Sequence, residues 1–277
     1  MITPLWPHPA ALIRVQQKRI IALADLHIGW EMAVSRKGIH IPTQTPKLLG
    51  RLKDLISRYK PEELLILGDV KHTIATAEIS EWHDVPDFFN ELRKLVKRIC
   101  VIRGNHDGNL EPLLPENIEL LPATGIILGK VGFFHGHQWP SSDVLTCKAM
   151  VMGHVHPVVS LRDPAGFRIT RQVWIKVNCN RKQLANTLMR RHKLGSIERA
   201  KTRHREAELL QLFIMPSFND FLGGRPLNEK RVGIDAKSSV AVGPVLRSEA
   251  VDMEGADTYL LDGNFLGTLA QLRMLSQ

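Results

Sequence analysis

The stretch ICVIRGNHD, residues 99–107, sets an apolar run from Ile99 to Ile102 just ahead of Gly104, Asn105, His106 and Asp107. A short apolar run that stops at small and polar residues reads as a buried strand whose carboxyl end opens into a loop. The same pattern occurs four more times. Arg19 to Ala24 runs into Asp25 and His27, and Glu63 to Leu67 into Gly68, Asp69 and His72. Val131 to Phe134 runs into His135 and His137, and Ala149 to Met152 into Gly153, His154 and His156. Seven of the twelve histidines fall in these five loops, a concentration that random placement does not produce. His8, His40, His83, His192 and His204 share no such setting and read as surface or satisfied residues.

Amphipathic stretches separate the strands. Thr45 to Tyr59 carries Leu48, Leu49, Leu52, Leu55 and Ile56 at helical spacing, and Pro86 to Lys97 repeats this with Phe88, Phe89, Leu92, Leu95 and Val96. Strands alternating with helices of this length predict βαβ units and a largely parallel sheet. In such sheets ligands sit beyond the carboxyl ends of the strands, where the polar clusters lie here. The gap after Gly125 to Gly129 is too short for a helix before strand 131–134, so a hairpin is expected there. Val158 to Leu161 and Phe167 to Val177 read as strands joined by a turn at Asp163 to Gly166. Leu209 to Met215 is a further strand, and Asp257 to Leu261 and Phe265 to Leu269 flank the hairpin signal Asp262, Gly263, Asn264.

The chain has 277 residues, 44% of them hydrophobic and 23% charged, which excludes a disordered tail or a fibrous repeat. Its three cysteines, Cys100, Cys147 and Cys179, are too few and too scattered for a disulfide framework or a Cys-based zinc ribbon. No apolar run is long enough to span a bilayer, and prolines interrupt the first eleven residues where a secretory signal needs an unbroken apolar stretch. A cytoplasmic location is therefore expected, with no membrane insertion. The formal net charge of +9 is concentrated. Between Arg181 and Arg205 nine Lys or Arg residues face a single acid, Glu198, which leaves the rest of the chain almost neutral. One basic arm on a neutral body suggests a localised contact surface.

The five loops supply Asp25, His27, Asp69, Asn105, His135, His154 and His156, a set of carboxylate, amide and imidazole donors without thiolate. Such a set suits two divalent metals, with Asp69 the central candidate for a bridge. Mixed nitrogen and oxygen donors accept manganese, iron, zinc or nickel, with geometry and supply deciding among them; manganese is the leading expectation.

DLH at 25–27, GD at 68–69, GNHD at 104–107, HGH at 135–137 and GHVH at 153–156 resemble, in order, the five motifs of the calcineurin-like metallophosphoesterases. The resemblance implies an α/β fold, a two-sheet β-sandwich flanked by helices in four αββα layers. It implies a single domain over residues 1–277, with a basic helical excursion at 178–208 and strands within 209–277 completing the second sheet. Asp25, His27, Asp69 and His156 would hold one metal, and Asp69, Asn105, His135 and His154 the other. A metal-bound hydroxide would attack phosphorus, and His106, as imidazolium, would stabilise the transition state or protonate the leaving oxygen. His72 stands where phosphoprotein phosphatases of this superfamily have an Asp. The GDxxH pattern instead resembles repair nucleases of the SbcD type. DLHIGWE at 25–31 and GDVKH at 68–72 are closest to the small archaeal SbcD-related phosphoesterases and the bacterial DNA-ligase-associated metallophosphoesterases. A DNA-repair partner follows from the same resemblance.

Several residues carry two readings. His72 acts near the scissile phosphate, or else caps a helix or lies on the surface, and His137 binds substrate, orients a metal ligand or is a ligand itself. Arg103 touches a phosphate oxygen or forms a surface ion pair. Trp30 and Trp139 stack on a base or simply pack. Arg190, Arg191, Lys193, Arg199 and Lys201 contact a nucleic-acid backbone, form a solvated helix face, or meet an anionic membrane surface. The leading expectation is a dinuclear metal-dependent phosphodiesterase acting as a nuclease on DNA or RNA. The alternatives are a phosphoesterase for a small nucleotide or phosphorylated metabolite, and a non-catalytic scaffold on the same fold.

Overall fold

The computed structural model of the chain describes residues 1–163, 165–192, 209–229 and 242–275, with only the backbone given for 191 and 192. Six strands form one sheet in chain order: β1 (Ile2–Pro4), β2 (Ala10–Val15), β3 (Lys18–Leu23), β4 (Glu63–Ile66), β5 (Arg98–Ile102) and β6 (Ile118–Leu121). β1, β2 and β3 pair antiparallel, and β3 through β6 pair in parallel. The parallel strands are joined by crossovers containing α1 (Trp30–Ser35), α2 (Thr45–Tyr59) and α3 (Ile79–Leu92).

The second sheet contains β7 (Ile126–Leu128), β8 (Val131–Phe134), β9 (Ala149–Met152), β10 (Val158–Arg162), β11 (Arg168–Asn180), β12 (Leu209–Ile214), β13 (Asp257–Leu260) and β14 (Phe265–Thr268). Its order is β14-β13-β11-β12-β9-β8-β7, with β10 beside β11. β7 and β8 form the expected hairpin, while β8, β9 and β12 run parallel. Two helices, α4 (Arg181–His192) and α5 (Leu269–Leu275), accompany this sheet.

Burial defines the layers. Ile13, Ile20, Ala22, Leu65, Cys100 and Ile102 of the first sheet pack with Phe133, Val151 and Trp174 of the second. The outer face of the first sheet, including Ile21, Leu64, Ile66 and Val101, is covered by Leu48, Leu52 and Leu55 of α2 and Val85, Phe88, Phe89 and Leu92 of α3. The outer face of the second, including Met150, Ile175 and Leu212, is covered by Leu184 and Leu188 of α4 and Leu269 and Leu272 of α5. The result is the expected αββα sandwich. All three cysteines are buried free thiols.

α2 spans the predicted residues, but α3 begins seven residues before Pro86 and ends at Leu92. The start lies at Glu78, whose N–H donates to the Glu81 carboxylate at 2.8 Å. Pro86 is thus an interior residue. Leu95 and Val96 fall beyond the helix; Val96 is buried and Leu95 is exposed. Phe89 anchors α3 to the first sheet and is fully buried. Its replacement by Ala is expected to cost about 3–5 kcal/mol of unfolding free energy, read from urea denaturation.

Candidate active site

The loops after β3, β4 and β5 in one sheet and after β8 and β9 in the other meet at one edge of the sandwich, where their side chains touch. Asp25, His27, Asp69 and His156 offer donor atoms that all lie within 4.8 Å of one another, and so do Asp69, His135 and His154. Asp69 belongs to both groups. Its Oδ2 lies 3.4 Å from His27 Nε2 and 3.3 Å from His135 Nε2. Asn105 joins the second group, with Oδ1 3.1 Å from the same His135 nitrogen.

Turns this tight bend the backbone. Asp25, His27, Asp69, His154 and His156 all have positive φ, between 44° and 69°. Non-glycine residues enter that left-handed region at a cost, which the surrounding structure must overcome. Gly68 and Gly104 show how closely the loops approach. A Cβ on Gly68, whose φ is +80°, would lie 2.5 Å from His135 Nδ1, and one on Gly104 would overlap Asp69 Oδ1 and its backbone nitrogen. Gly104→Ala is therefore expected to weaken divalent-metal affinity at least about tenfold, as supporting changes around metal ligands typically do. Isothermal titration with manganese, alongside a circular dichroism spectrum of the fold, checks it.

The buried field is strong. Asp25 and Asp69 are held well below the usual carboxylate range: burial opposes their charge, but His156 beside Asp25 and His135 beside Asp69 outweigh it. Burial likewise opposes the His135 imidazolium, yet the Asp69 carboxylate carries its pKa up to about 9. Burial, reinforced by His135, pushes His154 down to about 4.

Two observations fit these residues to divalent cations. The buried Nε2 atoms of His27 and His156 make no hydrogen bond among the described residues, although carboxylate oxygens stand 3.4 Å from each. The donors are also the hard and borderline types that such ions accept.

His106 stands next to this cluster, its ring centroid 4.6 Å from that of His27. Its backbone N–H donates to Asp69 Oδ1 at 2.8 Å, and its Nδ1–H donates to the His72 carbonyl. The His72 and His106 rings stack at 5.6 Å, and His72 Nδ1 lies 3.2 Å from His27 Nδ1. His27, His72 and His106 bring one donor atom each within 4.8 Å of one another as a third group, one without Asp69, whereas His137 lies beside His135 and His154 and outside all three.

Other expectations are placed differently. Arg103 pairs with Glu111, the surface ion pair of its two readings. Trp30 stacks on Phe221 at 5.6 Å, so packing occupies its ring. Arg190 is exposed on α4, whereas the Arg191 side chain, Lys193, Arg199 and Lys201 lie outside the described residues.

Several supporting residues escaped the sequence reading. Buried Asp107, within GNHD, accepts the N–H groups of Asp69, Val70 and Gly104 at 2.8–2.9 Å. Buried Glu81 accepts those of His72 and Thr73 at 2.9 and 2.7 Å. Lys71 is fully buried and donates to the carbonyls of Thr73 and Thr76. Ser217 Oγ donates to the Asp25 carbonyl at 2.9 Å, and Asn219 Nδ2 to that of Leu26 at 3.0 Å. Ser217 and Asn219 follow β12 directly. The strand-end pattern that exposed the other five loops also marks this sixth one.

A two-sheet sandwich with paired Asp/His donor groups at the carboxyl strand ends defines a class of metal-dependent phosphoesterases. The calcineurin-like phosphoesterase family model matches residues 18–183, from the start of β3 into α4, and the chain belongs to that family. Among solved structures, a nuclease named MPE from Pseudomonas putida shares its fold. The TM-score is 0.50 at 20% identity, over 91% of this chain and 97% of that one. Yfce, a phosphoesterase from E. coli, aligns with a TM-score of 0.33 at 20% identity, over 52% of this chain and 73% of that one. No curated protein matches the sequence. Among the described residues no helix is long and apolar enough to cross a membrane.

Proposed function

We propose that this chain is a dinuclear phosphodiesterase that cleaves nucleic acid. Asp25, His27, Asp69 and His156 would hold one divalent ion, manganese ahead of iron, zinc or nickel, and Asp69, Asn105, His135 and His154 the other. The observation that carries this reading is the sharing of Asp69 by two buried donor groups. Bound there, such ions neutralise phosphoryl oxygens and make water a nucleophile near neutral pH.

The chain's own residues do the positioning. Asp69 commits Oδ1 to the His106 N–H, which leaves Oδ2 toward His27 and His135. His106 commits Nδ1 to the His72 carbonyl, so Nε2 is the nitrogen that meets the substrate. As imidazolium it donates there to a phosphoryl oxygen or gives a proton to the leaving oxygen. His72 is a positioning residue through its carbonyl and its stacked ring.

Nucleic acid is favoured as substrate by the basic stretch Arg181–Arg205, which offers nine cations against one acid to a phosphate backbone. The Pseudomonas putida nuclease is a precedent for that activity on this fold. The second reading is a phosphoesterase for a small nucleotide or phosphorylated metabolite, whose ester the same donor groups would serve.

Hydrolysis of bis-p-nitrophenyl phosphate, p-nitrophenyl phosphate and labelled single- and double-stranded DNA and RNA, with added manganese, tests these readings. Neutralising Arg190, Arg191, Lys193, Arg199 and Lys201 is expected to lower polynucleotide cleavage about tenfold or more relative to the small diester, with a shallower salt dependence. Cleavage of small esters alone would favour the second reading. An inactive wild type at saturating manganese would leave a scaffold.

A further inference from the structure

Residues 72–76, between β4 and α3, belong to no helix or strand, so the polar groups of their backbone need other partners. Side chains hold all five carbonyls. That of His72 accepts from His106 Nδ1, those of Thr73, Ile74 and Thr76 from the Lys71 ammonium, and that of Ala75 from Asn109 Nδ2 at 3.1 Å. At the start of the loop the N–H groups of His72 and Thr73 both donate to Glu81 Oε1, at 2.9 and 2.7 Å.

Two of these contacts share one peptide. The unit that joins His72 to Thr73 presents its carbonyl oxygen to the His106 ring and its N–H to Glu81. A carbonyl only accepts, so His106 Nδ1 carries the proton. An N–H bonded to a carboxylate pushes electron density toward the oxygen at the other end of its amide, because hydrogen bonds in a chain polarise one another. The His72 carbonyl is thereby the stronger acceptor for the imidazole. Carboxylate, peptide and ring form one line.

Glu81 is fully buried, and its second oxygen accepts the Glu78 N–H at 2.8 Å. Helix capping accounts for that bond, but not for the grip of Oε1 on two N–H groups of another loop. Gly29, with φ of +87°, leaves room for the side chain: a Cβ there would lie 2.8 Å from Glu81 Cγ.

We infer that Glu81 is a positioning residue for His106. Acting across the His72–Thr73 peptide, it fixes the ring as its Nδ1–H tautomer and so keeps Nε2 for the substrate. This rests on the reading of His106 as the group that meets the phosphoryl oxygens.

Glu81→Gln, which keeps the shape and removes the charge, tests it. Glu81→Asp, one methylene shorter, is the second variant, and Asn109→Gly is a control that releases the Ala75 carbonyl without touching the shared peptide. Thermal melts and metal analysis establish that each is folded and loaded. Glu81→Gln is expected to lower kcat on bis-p-nitrophenyl phosphate about tenfold or more with KM little changed, the scale on which outer partners of site residues act. Glu81→Asp is expected to fall between it and the wild type, and Asn109→Gly to keep most of the wild-type kcat. Nitrogen-15 spectra of the zinc-loaded proteins, with His106 assigned by its loss in His106→Ala, locate the ring proton. It is expected on Nδ1 in the wild type and divided between Nδ1 and Nε2 in Glu81→Gln.

Should Glu81→Gln not fold, Glu81→Asp supplies both readings. An unchanged tautomer or an unchanged kcat in the folded Glu81 variants, or an equal fall in Asn109→Gly, overturns the inference. Failure of the catalytic reading looks different: the tautomer follows Glu81, but wild type and His106→Ala hydrolyse the ester at the same rate.

Discussion

His106→Ala is expected to lower kcat on bis-p-nitrophenyl phosphate by about 10²–10⁴-fold, the range for removal of a positioned acid, with a much smaller change in KM. The imidazole is held at both ends of its residue, by the backbone N–H on Asp69 Oδ1 and by Nδ1–H on the His72 carbonyl. Its removal leaves the two donor groups that share Asp69 intact, so metal content should match the wild type. Steady-state kinetics and metal analysis on one preparation check both halves. A fall in kcat matched by lost metal would make His106 a support of the metal centre, and unchanged hydrolysis would remove it from the chemistry.

Asp69→Asn strikes both donor groups at once. The amide oxygen still accepts the His106 N–H, which is 2.8 Å away in the native arrangement. What disappears is the negative charge that His27 and His135 share through Oδ2. If the proposed dinuclear centre holds, bound divalent metal falls from two ions per chain to one or none, and hydrolysis by about 10³-fold or more. Plasma mass spectrometry after gel filtration reads the first, and diester hydrolysis the second. Full retention of two ions would show that Asp69 is not the shared ligand.

Much of this arrangement is legible in the chain because the local physics is strong. Each core strand is a short apolar run that cannot be solvated, and each ends where Gly, Asp, Asn or His appears, so β3, β4, β5, β8 and β9 can be read directly. α2 is equally clear from its single apolar face. α3 is displaced from its expected position because Pro86 reads as a helix start, while the capping pair Glu78 and Glu81 sets the real one. Capping by two glutamates in a polar stretch leaves no periodic signal.

Ser217 and Asn219 show a different limit. Their pattern is visible after β12, but their work is to receive the backbone of Asp25 and Leu26, almost two hundred positions away. Glu81 and Lys71 belong to residue types that are seldom fully buried, yet both are buried at the His72 loop. Only the folded chain shows that backbone N–H groups and carbonyls meet them there. Arg103 and Trp30 went the other way: Glu111 and Phe221 already occupy them.

The sequence by itself determined the strand-end loops and the donor types they carry, because apolar periodicity and side-chain chemistry are local properties, and the αββα class followed from the family resemblance of its five motifs. The tertiary structure alone decided that Asp69 faces two donor groups through one oxygen, that His72 holds the His106 ring, and that Gly243 packs against Gly136 and His154. Those relations depend on how two sheets stack and how tightly their loops turn, and no run of neighbouring residues encodes the distance between loops that meet only after both sheets have packed.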